Sequence, residues 1–101
     1  MVYFVCRLIA PRPTFAQDMT EAERTLLGVH GGYWRGLADR RIAVVFGPVM
    51  DPKGAWGLGL VEAKDEAEVH SLLAEDPVVK ANAGFSWEIS PMAQAVFRKG
   101  L

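Results

Sequence analysis

His30 is the residue of this chain whose type and surroundings are most informative about chemistry. It lies within an apolar stripe at helical spacing, formed by Leu26, Val29, His30, Tyr33, Trp34 and Leu37. Histidine side chains titrate near physiological pH, so a His30 that faces a cavity can act as a general acid or base. An imidazole packed in the core with one satisfied hydrogen bond is the alternative, and the residues leave both open.

Asp76 and Asp51 are the two carboxylates that can partner this histidine. Asp76 stands before Pro77 at the predicted end of a helix, where its charge opposes the helix dipole and indicates a compensating partner. A carboxylate that holds an imidazole fixes its tautomer and raises its basicity. Asp51 begins the turn Asp51-Pro52-Lys53-Gly54, so a local turn role competes with a catalytic one. A His30–Asp76 pair is therefore the first hypothesis, with Asp51 as the second.

Other chemistries find little support in the sequence. His70 is expected to form a surface pair with Glu66, four residues earlier on a helix. No HxH or HExxH spacing indicates a metal site, and Cys6 alternates with apolar neighbours as a core residue does. The glycine-rich run 54–59 leads into a strand, which is not the context of a dinucleotide-binding motif. We expect neither a metal nor a cofactor.

Composition and charge exclude several classes of function. Eleven Lys and Arg residues against twelve Asp and Glu residues leave a net charge of −1, which argues against a general nucleic-acid-binding protein. One cysteine excludes an intramolecular disulfide, and no apolar run is long enough to span a membrane. The 101 residues predict a single domain, with a core over about 2–91 and a tail over 92–101. We expect a cytoplasmic protein that binds a small molecule.

Strands and helices alternate in a recognisable order. The predicted elements are a strand over 2–9, a helix over 20–39, strands over 42–46 and 55–63, a helix over 65–75 and a strand over 85–90. Thr20 and Glu23 have the spacing of a capping box at the start of the first helix. Four glycines in that helix indicate close approach of another backbone or a ligand. The order β-α-β-β-α-β predicts an α+β, ferredoxin-like fold with an antiparallel four-stranded sheet.

Two helices can cover only one face of such a sheet. Yet the first two strands, 2–6 and 42–46, are apolar on both faces, a pattern that requires burial on both sides. In the third strand one face is bulky, whereas the other carries Gly57 and Gly59. A second copy of the sheet is the simplest cover for the open face, and we predict a homodimer formed through it.

Four short motifs follow one another along the chain. They are His30-xx-Tyr33-xxx-Leu37, Phe46-Gly47-Pro48-xx-Asp51-xx-Gly54, Glu66-Ala67 and Asp76-Pro77-Val78-Val79. In this order and spacing they resemble the YciI-like family (YCII-related domain) over about Tyr3 to Pro91. The resemblance implies a dimeric α+β barrel of ferredoxin-like subunits. Arg41 stands where relatives usually carry Gly, so the end of the first helix must be capped differently.

The resemblance also implies a cleft with a His–Asp pair, carried onto His30 and Asp76, with Asp51 as the second possibility. The residues then expected near the ligand are Tyr33, Trp34, Gly47 and Pro48. We expect an enzyme without a cofactor that moves a proton on a small, oxygenated aromatic substrate, with lyase, isomerase or dehalogenase-type chemistry. The alternative is a non-catalytic homodimer that binds a small ligand or has a structural role, in which His30 and Asp76 only tie helix to sheet.

Overall fold

The computed structural model describes residues 1–101 as four strands and four helices. In chain order these are β1 (Val2–Ile9), α1 (Phe15–Asp18), α2 (Glu21–Asp39), β2 (Ala43–Val49), β3 (Trp56–Ala63), α3 (Glu66–Ala74), α4 (Pro77–Lys80) and β4 (Ser86–Pro91). The strands form one sheet in the order β2-β3-β1-β4, with every neighbouring pair antiparallel. This confirms the predicted α+β, ferredoxin-like arrangement. None of the four helices is both long and apolar enough to cross a membrane.

Proline changes the boundaries of two elements from those predicted. β2 continues through Gly47 and Pro48 to Val49, although the Gly-Pro pair predicted its end at Phe46. An edge strand accommodates proline because one of its sides has no neighbouring strand to receive an N–H. Pro77 lies just beyond the predicted end of the second helix and does not lead into an extended chain. It instead begins α4, because the first turn of a helix has no use for its missing N–H.

Both ends of α2 are closed by hydrogen bonds. The Thr20 hydroxyl accepts from the Glu23 N–H at 3.1 Å, and the Glu23 carboxylate accepts from the Thr20 N–H at 2.8 Å, which is the predicted capping box. At the other end Arg41 has φ = 62°, and the N–H groups of Arg41 and Ile42 donate into the last turn at 3.0 and 2.9 Å. This is a Schellman motif. We expected the end of this helix to be capped differently because Arg41 replaces a glycine. It instead has the cap geometry usual for glycine, with Arg41 in the left-handed position.

The core lies between the helices and one face of the sheet. Its central buried side chains are Phe4, Cys6, Val61 and Ala63 from the strands and Trp34, Leu37, Val69 and Leu73 from the helices. Alternation along β1 and β3 directs these strand residues to the helix-covered face. Val29 belongs to the predicted apolar stripe of α2 but is 55% exposed.

Gly59 of β3 allows α2 to approach the sheet closely. A Cβ at this position would lie 2.5 Å from the Trp34 ring, which is the largest fully buried side chain. The bare face of β3 thus receives the indole. No atom comes within 4 Å of a Cβ built at any of the four glycines of α2, so the expected close approach of another backbone to this helix does not occur within the chain.

The opposite face of the sheet carries no helix. The Tyr3 hydroxyl donates to the Glu62 carboxylate on this face at 2.5 Å. Phe97 of the C-terminal tail packs edge-on against the Tyr3 ring, with 5.1 Å between ring centroids. Val45 of β2 remains 49% exposed here. Apolar side chains on the open face are therefore only partly covered by the tail.

Candidate active site

A cavity of about 460 Å³ lies between α2, the helix-covered face of the sheet and residues 10–19, here called the cover segment. Fourteen of its nineteen lining residues are hydrophobic, among them Phe15, Trp34, Phe46 and Trp87. His30 is the one titratable residue in the lining, which includes no Lys, Arg, Asp or Glu. A concave, largely apolar site of this volume suits a small molecule.

His30 is paired with a buried carboxylate across this wall. Its Nδ1 lies 2.9 Å from each carboxylate oxygen of Asp76, a residue 46 positions further along the chain. The side chain of His30 is 17% exposed and that of Asp76 is fully buried. Because an ionised carboxylate can only accept, Nδ1 carries the ring proton and Nε2 is left free for an occupant of the cavity.

Asp76 is held in place from three directions. As the N-cap residue of α4, it accepts from the Val78 N–H at 3.0 Å, and it also accepts from the Trp34 indole N–H at 2.7 Å. With His30 these donors satisfy both oxygens, as a fully buried carboxylate requires. The sequence predicts only that Asp76 lies at the C-terminal end of a helix, where the dipole is unfavourable for a carboxylate. In the structure Asp76 also lies at the N-terminal end of α4, where the dipole is favourable for a carboxylate.

The arrangement is suited to general acid–base catalysis. Asp76 fixes the orientation and tautomer of the His30 ring, and its charge stabilises the imidazolium that forms when Nε2 takes up a proton. The apolar wall limits water, which strengthens this electrostatic interaction. His30 can therefore take a proton from a bound molecule and return it, with Asp76 as the positioning residue.

The cavity includes three of the four residues predicted to lie near a ligand. Trp34, Gly47 and Pro48 line it. Tyr33 does not, because its hydroxyl donates to the Leu72 carbonyl of α3 at 2.6 Å. Burial in that contact raises the pKa of Tyr33. Tyr33 therefore joins two helices rather than facing the cavity.

Asp51 makes its hydrogen bonds within its own turn. Its carboxylate accepts from the Lys53 N–H at 2.9 Å and from the Trp56 indole N–H at 3.3 Å. These are the local contacts typical of a turn aspartate. The structure therefore brings Asp76, and not Asp51, to His30.

Two further candidates lie away from the cavity. His70 Nε2 is 3.4 Å from the Glu66 carboxylate on the exposed surface of α3, as expected for residues four apart. Cys6 is fully buried, and burial raises the pKa of its thiol to about 12, so it is not poised to react. No three His, Cys, Asp or Glu side chains are grouped as metal ligands would be.

Trp87 also lines the cavity, and it is not among the four residues expected near the ligand. Its ring centroid is 6.4 Å from that of His30 and 5.6 Å from that of Trp34. The alternation of β4 predicts that Trp87 and Ile89 share one face of that strand. It does not predict whether that face is covered by the helices. The pairing of β4 with β1 decides this, because Trp87 lies opposite the buried Leu8.

The cover segment closes one side of the cavity and lies outside the predicted strands and helices. Phe15 is buried there with its ring centroid 5.3 Å from that of Phe85. Arg12 fastens the segment to α2 by donating to both oxygens of Glu23, at 2.7 and 2.8 Å. These two hydrogen bonds are the main cause of a Glu23 pKa lowered to about 2. The capping glutamate of α2 therefore also anchors the cover segment.

Comparisons with known proteins agree with this fold. A family model described as "YCII-related domain" matches residues 3–93. The chain is similar in structure to 5-chloro-2-hydroxyhydroquinone dehydrochlorinase (TftG) from Burkholderia phenoliruptrix AC1100, solved in complex with 2,5-dihydroxybenzoquinone. The TM-score is 0.65 at 23% identity, over 94% of this chain and 96% of that chain, a likeness that shows the fold. No curated protein sequence matches the chain.

Proposed function

The chain belongs to the YCII-related domain family, and from that premise we propose that it is an acid–base enzyme for a small oxygenated ring compound. One observation carries the proposal. A histidine whose Nδ1 is engaged by a fully buried aspartate stands alone as the titratable residue in an otherwise apolar wall. A packed structural histidine has no need of an adjoining cavity.

The composition of the wall supports a ring as the substrate. Trp34, Phe46 and Trp87 offer flat apolar surfaces, and aromatic rings pack on one another favourably. A carboxylate or phosphate would lose its hydration without gaining a cationic partner, because no Lys or Arg lines the cavity. The compound bound to TftG, 2,5-dihydroxybenzoquinone, is an oxygenated ring of this kind.

The proposed step is a proton transfer through one nitrogen. His30 Nε2 removes a proton from a carbon or hydroxyl of the ring, and the electron pair moves into the ring or onto a ring oxygen. Return of the proton to a different atom completes a tautomerisation. If the ring carries a leaving group, the same electron pair can expel it as an anion, and the proton stays on His30 until solvent removes it. Asp76 stabilises the imidazolium in both cases.

We also propose that the protein acts as a homodimer through the open sheet face. The support is the partly exposed apolar surface there, including Val45 at 49% exposure. Covering this face would not obstruct His30, because the cavity lies on the helix-covered side of the sheet. The small core of one subunit would then be extended by its copy.

Exchange of a ring proton with solvent tests the acid–base role directly. The probe is phloroglucinol (1,3,5-trihydroxybenzene), which is uncharged at neutral pH, in D₂O, with loss of its ring C–H signal through the keto tautomer followed by proton NMR. We expect the protein to accelerate the loss and His30→Ala to slow it by about 10²-fold or more, since it removes the general base. His70→Ala is the matched control, because it deletes an exposed histidine that lies outside the cavity.

The thermal midpoint separates this role from a structural one. A His30→Ala protein with a nearly unchanged midpoint and lost exchange supports the proposal. If the variant instead loses several kcal/mol of stability while exchange and binding persist, His30 is a packing residue and the acid–base proposal is wrong.

A further inference from the structure

Trp87 Nε1 is a buried hydrogen-bond donor without an acceptor. Every other buried side-chain nitrogen or oxygen in the structure has a partner, and the Trp87 indole N–H is the single exception. Leaving such a donor unpaired lowers stability, and native proteins rarely do so without a reason. The two other indole N–H groups of the chain are occupied, that of Trp34 by Asp76 and that of Trp56 by Asp51.

The missing acceptor can come from only one direction. Trp87 lies opposite Leu8 in the pairing of β4 with β1, and its ring packs against Trp34, so it is on the helix-covered face. A second subunit on the open face would not reach it. Because the nitrogen is buried in this conformation, an acceptor in the cavity reaches it only after a small rotation of the indole. What remains is a molecule in the cavity that Trp87 lines.

The polar atoms of the cavity wall then form a complementary pair. His30 Nε2 has a free lone pair and accepts, because Nδ1 carries the proton toward Asp76. Trp87 Nε1–H can only donate. The two rings lie 6.4 Å apart between centroids, close enough for one small ring in the cavity to contact both. A matching ligand therefore offers one hydroxyl and one acceptor oxygen.

We propose that Trp87 is the specificity-determining residue of the site and that the ligand is a ring bearing both a hydroxyl and a carbonyl. The hydroxyl donates to His30 Nε2, and the carbonyl accepts from Trp87 Nε1–H after a small rotation about the soft terminal torsion of the indole. This rests on the proposed function, since it names the substrate class of the same cavity. The assignment of Trp87 adds one element to that function. The Trp87 N–H binds the carbonyl oxygen on which negative charge develops when His30 removes a proton.

Matched ligands isolate the hydrogen bond. The probes are 3- and 4-hydroxyacetophenone, which carry a hydroxyl and a carbonyl, and 3- and 4-isopropylphenol, which have similar size and no carbonyl. We expect the better ketone to bind the protein about five- to tenfold more tightly than its alkyl counterpart, as one net hydrogen bond provides. Trp87→Phe should abolish this preference. Trp56→Phe, which removes an indole whose N–H is already paired with Asp51, should keep the preference.

An NMR measurement on the unmutated protein covers the case in which Trp87→Phe does not fold. The three tryptophans give three indole N–H signals, and the Trp87 signal should move downfield with the ketone but not with the alkylphenol. A preference that persists in Trp87→Phe, an absent preference, or an unmoved Trp87 signal on ketone binding would overturn the inference. Binding of none of the four probes would overturn it together with the proposed substrate class.

The two proposals fail in different ways. If the Trp87 signal and the ketone preference behave as expected while His30→Ala leaves proton exchange unchanged, the cavity binds hydroxy-carbonyl rings without acting on them. If exchange depends on His30 but no ketone preference is found, the acid–base role stands and the assignment of Trp87 is wrong.

Discussion

Arg41 ends the helix that carries His30 in a conformation costly for a residue with a side chain. Its φ of 62° lies in the left-handed region, which raises the conformational free energy of an L-residue by roughly 1–2 kcal/mol but that of glycine very little. The N–H bonds of the Schellman motif hold it there. We expect Arg41→Gly to raise the free energy of unfolding by about 1 kcal/mol, measured by urea denaturation. Arg40→Gly, with φ of −83° in the adjacent position, removes the same charge and should lower stability instead. Equal effects of the two changes would contradict this explanation.

Residue types alone could identify His30 as a candidate but could not choose its partner. Asp51 and Asp76 both precede a proline, and the deciding contact spans 46 residues. The Asp76 position also depends on α4, a four-residue helix with little sequence signal of its own. The role of Trp87 could not be predicted for a related reason. Its unpaired N–H results from the packing of the whole structure and not from the sequence of β4.

At the scale of elements, the cover segment depends on one ion pair with α2. The pKa of Glu23 falls from its ordinary value of 4.5 to about 2 because Arg12 donates to both of its oxygens, with the Thr20 N–H adding to this. A carboxyl whose pKa is lower in the folded state stabilises the fold above its unfolded pKa. That contribution is lost as the pH falls from about 4.5 to about 2.

Glu23→Gln should therefore remove a pH-dependent part of the stability. We expect the urea midpoint of the unmutated protein to fall more steeply between pH 4.5 and pH 2 than that of Glu23→Gln, and the two to converge at the acidic end. Glu21→Gln is the control, since Glu21 also lies in the first turn of α2 but is not hydrogen-bonded to Arg12. Parallel pH profiles for all three proteins would show that the Arg12 contact adds no stability.

The regular elements were predictable where local pattern and tertiary structure agree. The apolar residues of β1, the alternation in β4 and the Thr20–Glu23 capping box all lead to the observed elements. The cover segment was not predictable as structure because its order comes from contacts with distant residues, Phe85 and Glu23, rather than from its own sequence. Tertiary contacts also extend β2 past Pro48, since pairing with β3 continues to Val49 opposite Trp56.

For the whole molecule, the proposed homodimer predicts different outcomes for two exposed valines. Val45 lies on the open sheet face at 49% exposure, and Val29 lies on α2 at 55%. We expect light scattering of the unmutated protein at micromolar concentration to give twice the mass of one chain. Val45→Lys should give a monomer, because a buried unpaired charge is costly, whereas Val29→Lys should remain a dimer. A monomeric unmutated protein, or dissociation by Val29→Lys alone, would contradict an interface on the sheet.

The central position of β1 has a consequence for how the protein is made. This strand leaves the ribosome before the other three, yet its two partners, β3 and β4, end at residues 63 and 91. At roughly 5–20 residues per second, β1 waits on the order of ten seconds for its second neighbour. His30 and Asp76 are both synthesised before Trp87, so the pair can meet in a nascent chain that still lacks a wall of its cavity. The capacity to hold a ligand is therefore acquired in the last step of folding, when β4 pairs with the strand that was made first.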